Sequence, residues 1–226
     1  QWHFINYPIG AHGGGAEPAD SVPKRGWWLR LPRDMNAVQA MQAHKAIVQD
    51  PTQAAADRAL SLTWLCHIVG DLHEPLHTTS LFTEKRFRDG DRGGNEIPIE
   101  EQGSSRNLHA LWDSLAGHSA SDQNQKRRAE QLAERFPASA QVASDGTDVK
   151  VWVQESVFLS RNLAYDPAIL THVNTYDRTR GKLAPLRVSE DYIDMAREVA
   201  EQRITLAGYR LAALLADVLA SDSENE

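Results

Sequence analysis

WLCHIVGDLHEPLH, residues 64–77, is the stretch on which the reading of this chain turns. An α-helix advances about 100° per residue, so His67 and Asp71, four apart, leave one face a single turn from each other and can converge on one cation. Gly70, between them, leaves room for an approach to the backbone. Pro75 disfavours helical geometry at Glu74, so the helix is expected to stop near His73 and to swing His77 back toward the same face. Three candidate ligands then share one helical turn and one corner.

The spacing recurs in SSRNLHALWDSL, residues 104–115, where His109 and Asp113 are again four apart on a helix expected to start at Ser104 or Ser105. A single His-x-x-x-Asp is commonly a surface ion pair or a satisfied histidine. Here there are two, with His77 in addition, and the first lies in an apolar run formed by Leu62, Trp64, Leu65, Ile68, Val69 and Leu72. An unpaired carboxylate in such a run costs on the order of several kcal/mol, which a cation offsets. Imidazole and carboxylate donors without thiolate suit zinc best among common ions, and manganese or iron also match the ligand types. Cys66, the only cysteine, stands about 100° round the helix from His67 and reads as a buried core thiol.

With 226 residues, 41% hydrophobic and 24% charged, the chain has the length and composition of one soluble globular domain. One cysteine excludes an internal disulfide and says little about compartment. Its 31 acidic and 24 basic residues give a formal charge of -7, the wrong sign for holding nucleic acid by a broad basic surface, so a phosphate-ester substrate needs bound cations to supply local positive charge. No apolar run approaches the ~20 residues of a membrane span. The opening QWHFINYP is not a signal peptide, and the lack of an initiating Met points to a processed or truncated start.

Taken in order, HFINYP reads as a short extended piece and GAHGGGAEPADSVPKRG as a Gly/Pro-rich loop. Met35, Val38, Met41, Ala43 and Val48 predict a helix over 32–50, and Asp50 with Pro51 is expected to open the next, which carries His67 and Asp71. The loop TTSLFTEKRFRDGDR, with Lys85, Arg86, Arg88 and Arg92, is either solvated surface or a rim that touches an anionic substrate. Gly93-Gly94-Asn95, before a strand-like IPIE, lets the backbone turn close beside the metal ligands. Helices are predicted over AEQLAERF and over DVKVWVQESVFLSRNLAY, whose inward positions are Val149, Val151, Val153, Val157 and Phe158. A loop, YDRTRGKLAPLRV, precedes a last helix over 189–220 with Tyr192, Met195, Val199, Ile204, Leu206, Leu211, Leu214 and Val218 toward the core, then a frayed polar tail.

With HFIN, HIVGDLHEPLH, DRGGN and NLHALWD in this order, followed by Trp152, Glu155-Ser156, Tyr192, Arg203 and AGYRLAALL, the chain resembles the zinc-dependent single-strand-specific nucleases of the S-one/P-one type. These share a fold with the zinc-dependent bacterial phospholipases C. The resemblance implies an all-α, mainly helical single domain over 1–226. It also implies three zinc ions in a cleft and hydrolysis of single-stranded DNA or RNA to 5′-phosphate products, with 3′-nucleotidase activity as an open possibility. His77, His109 and Asp113 match the protein ligands of one zinc. His3, His67 and Asp71 match ligands of a second, and Asp71, the candidate catalytic carboxylate, also bridges to the third. Phe4 and Asn6 fall where the family stacks and hydrogen-bonds a base, the latter usually as Asp, and Asn95 falls near the substrate.

The departure is at the front. The family's leading Trp, the His after it and a later Asp ligand have no match, Trp2 aligning with a later motif. The N-terminal quarter of the domain is therefore expected to be missing, with one complete zinc site and poor turnover. Export to periplasm or medium is a further expectation. The alternatives are a phospholipase C acting on a lipid phosphodiester and a catalytically impaired metal-binding helical fragment.

Overall fold

The computed structural model describes residues 3–10, 35–101, 103–117, 121–138, 148–178 and 181–220. The Gly/Pro-rich stretch from residue 11, Trp2 and the tail from residue 221 lie outside them. In order, the elements are β1 (Tyr7–Ile9), α1 (Ala37–Gln49), α2 (Ala55–His73), a 3-10 turn (Pro75–His77), β2 (Thr79–Leu81), β3 (Pro98–Glu101), β4 (Ser104–Asn107), α3 (Leu108–Leu115) and α4 (Asp122–Arg135). They continue with α5 (Val149–Leu159), extended by a π-turn (Ser160–Ala164), α6 (Pro167–Asp177), β5 (Leu186–Arg187) and α7 (Glu190–Ala220). The mainly helical architecture is as expected. No described helix is long and apolar enough to cross a membrane.

Local chemistry sets the helix boundaries, and several differ from the sequence reading. Asn36 accepts from the Gln39 amide at 3.0 Å while Gln39 accepts from the Asn36 amide at 3.1 Å, a reciprocal cap that starts α1 at Ala37 rather than near Pro32. Asp50 does not cap α2. Its carboxylate is taken by the Thr52 amide and hydroxyl and by Gln53, which form a turn, and α2 begins at Ala55. Ser104 and Ser105 belong to β4, paired antiparallel with β3, and Asn107 caps α3 by accepting from the Ala110 amide at 2.7 Å. The helix over AEQLAERF is longer, capped by Ser121. α6 is a helix beyond those expected from the sequence, capped by Asp166 and opened by Pro167.

The core has two parts. Ile5, Met41, Leu65, Ile68, Leu72, Trp152 and Leu214 fill the space between α1, α2, α5 and α7. Leu76, Ile97, Ile99, Leu108, Trp112, Tyr165 and Tyr192 fill the space under the small sheets, α3 and α6. α7, about 46 Å long at 1.5 Å per residue, serves both. Its inner face is not the apolar stripe expected. Glu201, Arg203 and Arg210 are buried on it, whereas Met195 and Ile204 are 39% and 45% exposed. Phe158, expected inside, is 64% exposed.

The charges on α7 are inside because they have partners. Arg203 donates to Glu155 at 2.7 Å, and Arg210 holds both oxygens of Glu155 at 2.6 and 2.9 Å. The same group satisfies the C-terminal carbonyls of α2, which no helical bond reaches. Arg203 Nε donates to the His73 carbonyl and the Ser156 hydroxyl to that of Leu72, while the His73 ring donates to the Val69 carbonyl one turn back. Cations at a helix C-terminus also meet its negative dipole end favourably. The end of α2 that carries Asp71 is thereby anchored from behind.

Candidate metal centre

The parallel pairing of β1 with β2 brings His3 to the corner after α2. The Ile5 amide donates to the His77 carbonyl at 2.8 Å, and His77 Nδ1 lies 2.9 Å from the His3 carbonyl. That bond leaves His77 Nε2 turned toward Asp113 Oδ1, 3.8 Å away. On α3, His109 Nδ1 donates to the Gly93 carbonyl at 2.8 Å, and its Nε2 lies 3.6 Å from Asp113 Oδ2. Pinning one ring nitrogen on a carbonyl fixes the tautomer and offers the other as a lone pair, the usual arrangement of metal-ligating histidine.

On the other side, Asp71 Oδ2 is approached by His67 Nε2 at 3.1 Å, His3 Nδ1 at 3.4 Å and His77 Nδ1 at 3.9 Å. That oxygen is buried and has no hydrogen-bond partner among the described residues. An orphaned carboxylate oxygen ringed by imidazole nitrogens is a donor set that fits a divalent cation. All six expected ligands, His3, His67, Asp71, His77, His109 and Asp113, therefore meet in one region. Ligand atoms of His3, Asp71 and His77 lie within 4.8 Å of one another, as do those of Glu74, His77 and His109.

The electrostatics show what the centre lacks. Burial raises Asp71 above the usual carboxylate range and pushes Glu74 up to about 7. Burial opposes charge on His77, but the neighbouring carboxylates of Asp113, Glu74 and Asp71 outweigh it and raise His77 to about 9. His3 is driven down to about 4 by burial and by the neighbouring imidazoles. The carboxylates therefore seek positive charge that the imidazoles cannot all carry.

The Gly-Gly-Asn turn is held by a second buried group. Asp91, fully buried, accepts from the Leu81 amide at 2.9 Å, the Gly94 amide at 3.0 Å, and the Ser80 and Tyr165 hydroxyls. Gly93 has φ +63°, and a Cβ there would lie 2.4 Å from the Leu76 carbonyl oxygen. Only glycine lets this turn pass the corner closely enough to reach His109.

Two clefts flank the ligands. One, of about 200 Å³, is lined by Phe4, Asn6, Arg92, Asn95, His77 and His109. The structure thus brings all three expected substrate residues to one cleft, which Arg92 of the charged loop also lines. Arg86 is not part of this rim, since it donates to the Tyr176 carbonyl. The other cleft, of about 340 Å³, includes His67, Asp71, Glu74, Asp113 and Arg203. Cys66 lies on this cleft and is exposed, because α2 turns that side away from both core clusters; it is not a core thiol. Glu74, in the sequence the residue before Pro75, also lies on this cleft, as its position three after Asp71 and three before His77 allows.

The profile of the S1/P1 Nuclease family matches residues 1–220. Nuclease S1 of Aspergillus oryzae (strain ATCC 42149 / RIB 40) is 29% identical over 204 residues, covering 82% of this chain and 62% of that protein. Endonuclease 4 of Arabidopsis thaliana is 28% identical over 164 residues, covering 71% and 51%. Nuclease P1 of Penicillium citrinum is 23% identical over 197 residues, covering 82% and 67%. The chain spans about half to two-thirds of the length of these curated relatives. A match of that extent, over a chain whose two His/Asp helices and Gly-Gly turn meet at one cleft, makes this chain a member of the S1/P1 nuclease family.

Proposed function

We propose that the protein is a zinc-dependent endonuclease that hydrolyses phosphodiester bonds of single-stranded DNA or RNA to 5′-phosphate products. The observation that carries this reading is the convergence of His3, His67, Asp71, His77, His109 and Asp113 beside a cleft walled by Phe4, Asn6 and Asn95. Divalent cations held by these residues would supply Lewis-acid charge neutralisation and water activation near neutral pH.

The chain's own residues divide the remaining work. Phe4 offers an aromatic face on which a base stacks, and Asn6 offers hydrogen bonds to its edge. Asn95 and Arg92 line the same cleft and offer hydrogen bonds and positive charge to a backbone phosphate bound there. The Asp91 network holds the Gly93 carbonyl, and through it His109, in place while substrate enters. A base must be splayed out to reach Phe4, which in a duplex costs a few kcal/mol of stacking and pairing. Single strands are favoured on that ground, with weak sequence selectivity. We extend the reading to an exported protein, periplasmic or secreted, as the resemblance implies.

The test is hydrolysis of single-stranded and duplex oligonucleotides before and after chelation, with zinc restored, and 5′-end analysis of the products. Full activity in His109→Ala or in the chelated protein overturns the reading.

A further inference from the structure

The two clefts beside the metal ligands belong to a longer groove. His77 lines both of them, so a strand cut at the ligands has a cleft on each side of the broken bond. Ala116, just past α3, and Ile204, on α7, line the Asp71 cleft and also a third cleft of about 530 Å³, the largest of the three. The groove therefore continues from the candidate metal centre over Ile204 to the face of α4.

The third cleft differs in charge from the acidic chain around it. α4 carries Asp122, Glu130 and Glu134 as well as four basic residues, but what it turns to the cleft is Asn124, Arg127, Arg128 and Gln131. No acidic residue lines the cleft among the described residues. Arg128 is held by Glu201, which also pairs with Arg135 and so fixes α4 against α7. Arg127 is left over: its guanidinium donates to the Asn124 side chain at 2.7 Å and has no acidic partner among the described residues. Leu132 and the 45% exposed Ile204 supply the apolar part of the surface. An uncompensated cation for phosphate, amides for base edges and apolar surface between them are what a single strand of nucleic acid takes up. No aromatic residue lines this cleft among the described residues, so the grip is on the backbone and indifferent to sequence.

We propose that this groove is the track of the single strand beyond the scissile bond, and that Arg127 holds a strand phosphate remote from the metal ligands. The proposal rests on the nuclease reading above and adds to it a dependence on substrate length. A strand long enough to reach α4 gains a phosphate contact that a dinucleotide, filling only the clefts beside the ligands, does not. Arg127 thereby supplies locally the positive charge that a formal net charge of -7 withholds from the surface as a whole.

The test is steady-state hydrolysis by the whole zinc-loaded chain, comparing a thymidine dinucleotide with an oligothymidylate of about twelve nucleotides, within the span of single-strand sites. Wild type, Arg127→Ala and Arg127→Lys are measured over a range of salt concentrations. Arg127→Ala is expected to raise KM for the long substrate by about threefold, in the range of one exposed ion pair, and to shift the dinucleotide by less. The slope of log KM against log salt for the long substrate should fall by about 0.7, the value of one phosphate contact on a single strand. Arg127→Lys should keep both the KM and the slope near wild type. An unchanged KM and slope in Arg127→Ala overturn the track and leave the nuclease reading standing. So does an equal shift for both substrates, or a loss in Arg127→Lys as large as in Arg127→Ala. A wild type that cleaves neither oligonucleotide overturns the nuclease reading and the track with it.

Discussion

The hydroxyl of Tyr165 lies 2.9 and 2.8 Å from the two carboxylate oxygens of Asp91, although the residues are 74 positions apart, and both side chains are buried. Burial raises Asp91 to about 6, so this donor supports a carboxylate that its surroundings disfavour. Tyr165→Phe should destabilise the fold by about 1.5–3 kcal/mol, the range for losing a hydrogen bond to a buried charged group. Urea unfolding at constant m checks this, and a midpoint equal to wild type refutes it. Zinc affinity should fall in the same variant, because Asp91 also holds the Gly94 amide beside His109.

Gly93→Ala places a Cβ 2.4 Å from the Leu76 carbonyl in a left-handed backbone. The conformation alone costs a non-glycine residue roughly 1–2 kcal/mol, and the clash is with backbone that cannot step aside. The expected result is a lower unfolding midpoint together with weakened zinc binding, since the Gly93 carbonyl orients His109. Unchanged zinc affinity measured by chelator competition would show that His109 does not depend on this turn.

Glu155 holds Arg203 and Arg210 behind the end of α2. Glu155→Ala leaves two buried guanidinium groups without their carboxylate, at a cost of about 3 kcal/mol, the lower end for breaking a buried pair because Glu155 is one-third exposed. The thermal midpoint should fall by several degrees.

Acid should destabilise the metal-free protein in two steps. His44, in α1, is held by burial at about 4 against an ordinary 6.5, so it is neutral in the fold and protonates more readily unfolded. Its contribution is present above 6.5 and is lost as pH falls toward 4. Burial works against the charge on Glu155, but hydrogen bonds from Arg210 and Arg203 prevail and lower it to about 2 from 4.5. That contribution is present above 4.5 and is lost as pH falls toward 2. Buried carboxylates and His3 also titrate in this range, so the check is by variant: between pH 6.5 and 4 the unfolding midpoint of His44→Leu should fall less steeply than that of wild type, and equal slopes would contradict the assignment of His44.

Zinc should stabilise the fold as any ligand of the native state does. At a free concentration 100 times its dissociation constant, one ion adds about 2.7 kcal/mol. Chelation should lower the thermal midpoint in wild type and lower it by less in a variant that lacks both His77 and His109.

Much of the centre was legible because its signals are local. The i,i+4 spacing of His67 and Asp71 and of His109 and Asp113 needs only a helix, and Pro75 dictates the corner that returns His77. The glycines at 93 and 94 announced a close approach. What was not legible depends on partners distant in the chain. Arg203 and Arg210 look like solvent-facing residues until Glu155 is known to meet them, so the inner face of α7 was assigned to Met195 and Ile204 instead. Cys66 reads as a core thiol because it stands about 100° round α2 from His67, but an angle away from the metal face does not say which side of a helix meets a neighbour. Asp50 reads as a cap by residue type alone, and the competing turn at Thr52 and Gln53 is what displaced the helix start.

The side-by-side running of Tyr7–Ile9 and Thr79–Leu81 also sets a timetable for folding. Asp71 and His77 arrive with one helix and its corner, and His109 with a nearby hairpin. His3 must wait until a loop of roughly seventy residues has closed, the slowest kind of contact to form. In a refolding experiment the capture of metal by His3 should therefore trail the gain of helical signal, and the finished centre reports that two segments roughly seventy residues apart have met.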